Sequence, residues 1–160
     1  MGGLVSILNG PNLNLLGERE PEIYGTVTLQ NIEQSCRALA TTLNVDLDFQ
    51  QTNHEGVMVD AIQAARLTSD ALIINPAGLS FHSVPVLDAL RMFNKPIVEL
   101  HLSNIHARDE AHRHSIISRS ATAVICGLGA YGYIVALQSA VRMAGPLVAG
   151  LPEPLRTGPA

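Results

Sequence analysis

Arg19, Glu20 and Tyr24 crowd into one loop with Pro21 and Gly25, downstream of Asn9, Asn12 and Asn14. The loop is too long and too rich in directed polar groups to be a simple connector, and it reads as an active-site lid. A free tyrosine has a pKa of about 10 and is a poor base at neutral pH. A guanidinium held beside it favours the phenolate, which makes Arg19 with Tyr24 a candidate activated base. The alternative is a tyrosine ring packed under the loop, with Arg19 in solvent. A second pair, Glu99 and His101, stands two residues apart in an otherwise apolar run. On a strand both side chains face the same way. A carboxylate beside an imidazole fixes its tautomer, raises its pKa and keeps a proton on it for donation. A sheet-end salt bridge without chemistry is the plain alternative. Ile97, Val98 and Leu100 are core types, however, and a carboxylate among them is costly unless it is employed. With an acid on a strand and a base on a lid, proton abstraction followed by loss of hydroxide is the natural reaction class.

Alternating strands and helices must position these groups. The pattern predicts strands at Leu4 to Leu8, Val45 to Gln51, Ala71 to Ile74, Pro96 to His101 and Ala123 to Cys126. Helices are expected from Thr28 (as N-cap) to Leu43, from about Gly56 to Arg66, from Ser83 to Phe93 and from Tyr131 to Met143. Five short strands with helix-length spacers mean an α/β fold, a five-stranded parallel sheet with helices on both faces. Residues 1–144 form the expected single domain, and the Pro- and Gly-rich residues 145–160 an extended or disordered tail. In such a sheet, ligands bind beyond the carboxyl ends of the strands, where strand order reverses. Asn9, Asn12, His54, Glu55, Asn75, Glu99 and His101 all fall at those ends.

Composition narrows the classes. A chain of 160 residues, 47% hydrophobic and 15% charged, is long enough for one large core. A net charge of -4 with a single lysine argues against binding to nucleic acid or anionic membranes. Cys36 and Cys126 sit in apolar stretches and read as reduced core residues of a cytoplasmic protein. No secretory leader is expected at Met1 to Leu8, and no apolar run approaches membrane-spanning length.

NGPNLNLLGEREPEIYG from Asn9, NHEG from Asn53, NPAG from Asn75, ELHLSNIHAR from Glu99 and ICGLGAYGY from Ile125 together resemble type II 3-dehydroquinate dehydratases, from about Leu4 to Met143. The resemblance implies a flavodoxin-like fold and a homo-oligomer, a dodecamer of trimers. It also implies cofactor-free trans-dehydration of a small-molecule substrate, 3-dehydroquinate, to 3-dehydroshikimate through an enolate. By position, Tyr24 would take the C2 proton, activated by Arg19, and His101, oriented by Glu99, would protonate the departing C1 hydroxyl. Asn12 would hold the water that steadies the enolate. Asn75 and the backbone at Leu102 and Ser103 would grip the carboxylate, and Asp88 would reach a neighbouring subunit's site. The unrelated type I route needs a Schiff-base lysine. Lys95, the sole lysine, precedes the fourth strand, at the wrong end of the sheet.

Two departures from the family pattern stand out. Phe81 and His82 occupy positions where the family usually has His and Thr, and His112 and Arg113 replace Arg and His. Those family residues bind the ring hydroxyls. Each change is a neighbour exchange, and on a helix a one-residue shift turns a side chain by about 100°. In one reading, backbone shifts return His82 and Arg113 or His112 to the hydroxyls. In the other, the pocket takes a dehydroquinate analogue altered on that side. Gly127, Gly129 and Gly132 spell G-x-G-x-x-G, but the second strand of a dinucleotide-binding unit is missing, so close helix–sheet packing is the better reading. His101, His106, His112 and His114 match no metal-ligand spacing. A non-catalytic flavodoxin-like ligand-binding domain is the remaining class, but asparagines stand where a phosphate-binding version would carry Ser, Thr or acidic residues.

Overall fold

The computed structural model describes residues 3–18, 22 and 25–145. Arg19 and Tyr24, the expected lid pair, lie outside the described residues, as does the expected tail apart from Gly145. Five strands, β1 (Leu4–Asn9), β2 (Asp46–Gln51), β3 (Ala71–Asn75), β4 (Ile97–His101) and β5 (Ala123–Cys126), form one sheet. Its order is β2-β1-β3-β4-β5, and every pairing is parallel. Among the described residues, the helices that connect them are α1 (Leu29–Leu43), α2 (Glu55–Thr68), α3 (Val84–Arg91) and α4 (Tyr131–Ala144).

Every residue of β3 and β4 is buried, because both lie inside the sheet with helices on each face. β2 is an edge strand of mixed exposure, which is why Val45 to Gln51 alternates apolar and polar residues. Successive β1 side chains serve opposite faces. Val5 and Ile7 join Val98, Leu100, Tyr133 and Leu137 in the core under α1 and α4. Leu8 joins Met58, Ile62, Leu72, Ile74 and Leu90 under α2 and α3.

The helix starts follow from local chemistry. Thr28 caps α1 reciprocally: its hydroxyl accepts from the Asn31 N–H at 3.2 Å, and Asn31 Oδ1 accepts from the Thr28 N–H at 3.1 Å. Ile32, Cys36, Ala40 and Leu43 then make the buried stripe of α1. Ser83 is the N-cap of α3 rather than its first residue, accepting from the Val86 N–H at 3.2 Å. Its hydroxyl also donates to Glu55 Oε2 at 2.7 Å, tying the start of α3 to that of α2.

Two glycines set close approaches. A Cβ on Gly10 would meet the Pro76 carbonyl oxygen at 2.4 Å, so the loops leaving β1 and β3 touch only because that side chain is missing. Gly132 would place a Cβ 2.9 Å from Leu100 Cδ1, so the last glycine of G-x-G-x-x-G packs α4 onto β4. Cys36 is buried, whereas Cys126, expected in the core, is only half-buried because β5 is the other edge strand. Among the described residues, no helix is long and apolar enough to cross a membrane.

Candidate active site

The carboxyl ends of β1, β3 and β4 converge on a cleft of about 300 Å³, sized for one small ring. The strand order reverses between β1 and β3, so the cleft sits at the topological switch point. Asn12, Asn75, His101, Leu102 and Ser103 line it together with Phe81 and His112.

Glu99 is fully buried behind His101, which is 5% exposed and faces the cleft. Burial pushes the Glu99 carboxyl up, but hydrogen bonds from His101, Ser115 and Ser118 and the attraction of His101 outweigh it and hold the group below the usual carboxylate range. An ionised carboxylate only accepts, so the 2.7 Å contact from His101 Nε2 to Glu99 Oε1 places the proton on Nε2. Nδ1 is then the ring nitrogen left to exchange a proton in the cleft.

Asn75 is 3% exposed. One N–H of its amide donates to the Tyr133 hydroxyl at 2.9 Å, and Tyr133 donates to Asn9 Oδ1 at 2.6 Å. Asn9 donates in turn to the Gln50 carbonyl at 2.9 Å. Burial drives the Tyr133 phenol far above its ordinary pKa, so this tyrosine is a permanent donor rather than a base. An amide has two N–H donors, and the second of Asn75 remains for a ligand.

Asn12 adopts φ 68°, a left-handed conformation that Asn tolerates better than most residues. The Asn53 side chain accepts from its N–H at 2.9 Å. Gln51 Nε2 donates to Asn53 Oδ1 at 3.0 Å and to the Gly10 carbonyl at 3.2 Å, pinning the start of the β1 loop to β2. Arg108 Nη2 donates to the Ser103 hydroxyl and also lines the cleft.

The exchanged positions separate. Phe81 turns into the cleft, its ring roughly parallel to His101 at 6.5 Å between centroids and edge-on to His112 at 5.4 Å. His82 is exposed and is not part of the cleft wall. It caps the C-terminal end of the short turn Ala77–Phe81, one position past the residue that enters the cleft. His112 reaches the wall with Nδ1 2.9 Å from both oxygens of Asp109, whose carboxyl it holds below the ordinary range. Arg113 turns away to Glu110 and His114. Asp88 is exposed on α3, paired with Arg91 at 3.3 Å and away from this cleft. Lys95 donates to the Ser69 carbonyl, at the amino end of the sheet. Among the described residues, no cluster of His, Cys, Asp or Glu is arranged to hold a metal ion.

Ser115, Ser118, Tyr133, Asn53 and Gln51 are the supporting residues that sequence reasoning missed. None carries a local signal: the serines lie 16 and 19 residues beyond Glu99, and Tyr133 lies 58 beyond Asn75.

A doubly wound α/β protein with a buried Glu–His pair opening on a switch-point cleft is built for proton transfer on a small ligand. The family model for Dehydroquinase class II matches residues 4–141, and the chain belongs to that family. It is 52% identical over 133 residues to the 3-dehydroquinate dehydratase of Dinoroseobacter shibae, covering 83% of this chain and 89% of that one. It is 49% identical over 142 residues to the catabolic 3-dehydroquinase of Verticillium alfalfae, with 89% and 95% covered. The crystal structure of type II dehydroquinase from Propionibacterium acnes superposes with a TM-score of 0.84 at 38% identity, covering 88% of this chain and 97% of that one.

Proposed function

We propose that the chain dehydrates 3-dehydroquinate to 3-dehydroshikimate as a type II 3-dehydroquinate dehydratase. The observation that carries the mechanism is the buried Glu99–His101 pair, with Nε2 on Glu99 and the imidazole lining the cleft. His101 is the acid: with Nε2–H held on Glu99, a second proton on Nδ1 passes to the leaving C1 hydroxyl, and Glu99 fixes the ring's orientation and balances its charge. Tyr24, activated by Arg19, takes the C2 proton; both roles rest on the family pattern of the lid sequence. Asn12 holds the water that steadies the enolate. Asn75, through its remaining amide N–H, and the backbone of Leu102 and Ser103 bind the carboxylate. The enzyme works as a trimer-based dodecamer in the cytoplasm, with Asp88, exposed on α3, reaching a neighbouring subunit's cleft.

Phe81 favours a second reading, in which the same machinery accepts a ring with fewer hydroxyls. An apolar ring lines the cleft where the family pattern has a histidine, while His82 stays outside and, of the four exchanged positions, His112 brings an imidazole to the wall. An unpaired buried hydroxyl costs about 1–3 kcal/mol, or roughly one to two decades of affinity.

Absorbance of the conjugated-enone product tests both readings, using wild type, Tyr24→Phe and Phe81→His on 3-dehydroquinate. Fast turnover that is lost in Tyr24→Phe and little changed in Phe81→His supports the main reading. A high KM for wild type that falls about tenfold or more in Phe81→His supports the second. Full activity of Tyr24→Phe would overturn the assignment of the base.

A further inference from the structure

Glu99 is gripped from three sides, and two of the three groups come from far along the chain. Its Oε1 accepts from His101 Nε2 at 2.7 Å and from the Ser115 hydroxyl at 2.5 Å, and its Oε2 accepts from the Ser118 hydroxyl at 2.5 Å. Ser118 belongs to the short turn Ile117–Ser120, anchored by Ile117, which is fully buried in the core under α2 and α3. The preceding residue, Ile116, ties this segment to the cleft wall: its N–H donates to the Ser80 carbonyl at 2.8 Å, one residue before Phe81.

We propose that Ser115 and Ser118 are positioning residues that lock the Glu99 carboxylate in the orientation that fixes the tautomer of His101. Neither touches the cleft; both act through Glu99. A carboxylate held by His101 alone could rotate and present either oxygen. With a hydroxyl on each oxygen, rotation breaks two hydrogen bonds at once, and the imidazole keeps Nε2–H toward Glu99 and Nδ1 toward the cleft.

The surroundings leave the hydroxyls as the main partners besides His101. Ile74 and Val124, opposite Glu99 on β3 and β5, carry no charge. On α3, Asp88 and Arg91 pair with each other at the surface, and Arg119, beside Ser118, is exposed. α4 packs on the opposite face, where Val98 and Leu100 point. α2, on the same face, carries Glu55, Asp60 and Arg66, and among the described residues His101 is the titratable group hydrogen-bonded to Glu99. Both hydroxyls favour the ionised carboxylate, so their removal raises the Glu99 pKa. As pH falls, the variant protonates Glu99 at a higher pH than wild type does. The low-pH limb of kcat then moves upward.

The test compares wild type with Ser115→Ala/Ser118→Ala, and single Thr variants at each position serve as rescue. Its kinetic readout rests on the dehydratase reading above; its spectroscopic readout does not. The double variant is expected to lose about tenfold in kcat with KM within about twofold, and to shift the low-pH limb up by about one unit. Hydroxyl-bearing Thr variants keep wild-type profiles. Nitrogen-15 NMR of the His101 ring reads the tautomer without turnover: a fixed Nε2–H form in wild type, a mixture in the double variant. If the double variant does not fold, Ser118→Ala alone carries both readouts. A lower melting temperature with an unmoved kcat limb and an unmoved tautomer signal would overturn the proposal, leaving the serines a structural role only. A wild type that forms no enone, yet shows the fixed tautomer and its loss in the variant, would sink the dehydratase reading and keep the lock.

Discussion

Tyr133 and Glu99 are two buried polar side chains with opposite tasks, and their surroundings assign the roles. Desolvation keeps the Tyr133 phenol protonated, so it can only bridge Asn9 and Asn75. Three donors keep Glu99 ionised, so it can only accept from His101. Removing the Tyr133 hydroxyl would strand Asn9 Oδ1 and one Asn75 N–H without water, at a cost of about 1–3 kcal/mol. Tyr133→Phe is therefore expected to lower the urea midpoint with an unchanged m-value, and to raise KM through a looser Asn75. An unchanged midpoint would show that the two asparagines find other partners. At this scale the sequence was half legible. Glu99 and His101 stand two apart on one strand, so their pairing follows from the strand period. The side chains that hold Glu99 (Ser115 and Ser118) and Asn75 (Tyr133) are brought in by tertiary folding and carry no spacing rule.

Elements were legible wherever a local rule sets the boundary. Thr28 before an apolar stripe is a capping signal, and α1 starts immediately after it. Pro96, expected to open the fourth strand, has no N–H for the ladder, and β4 begins one residue later, at Ile97. α2 runs from Glu55 to Thr68, beyond the expected Gly56 to Arg66, since the acidic Glu55 suits the first turn and Thr68 closes the last turn by donating to the Ala64 carbonyl at 3.3 Å. Phe81 and His82 show the opposite limit. A turn too short for any periodicity decides which ring enters the cleft, and the spacing of residues contains no such rule. Thr28→Ala should cost about 1 kcal/mol of stability in chemical denaturation, because the Asn31 N–H loses its side-chain acceptor while only the backbone half of the reciprocal cap survives. Turnover should persist at temperatures well below melting; a stability change within error would mean that the tertiary contacts of α1 make its cap redundant.

At the level of the whole molecule, the sheet order brings three distant segments to one cleft. β1 lies between β2 and β3, so Asn12 is steadied from β2 through Gln51 and Asn53 while facing residues that follow β3 and β4. Gly10 lets the β1 and β3 loops touch, and its N–H donates to the Asn75 carbonyl at 2.8 Å. The parallel order was legible because five strands are separated by helix-length spacers; the depth of the cleft was not, since it depends on that one missing side chain. The proposed acid, His101 on β4, and the proposed base, Tyr24, would define an elimination across the ring, with proton and hydroxide leaving from opposite faces. The most direct measurement is proton NMR of the product formed from 3-dehydroquinate carrying deuterium at a single C2 position, prepared as each of the two diastereomers. The account predicts loss of the C2 hydrogen anti to the C1 hydroxyl and retention of the other. Loss of the syn hydrogen, or product trapped on Lys95 by borohydride, would contradict it.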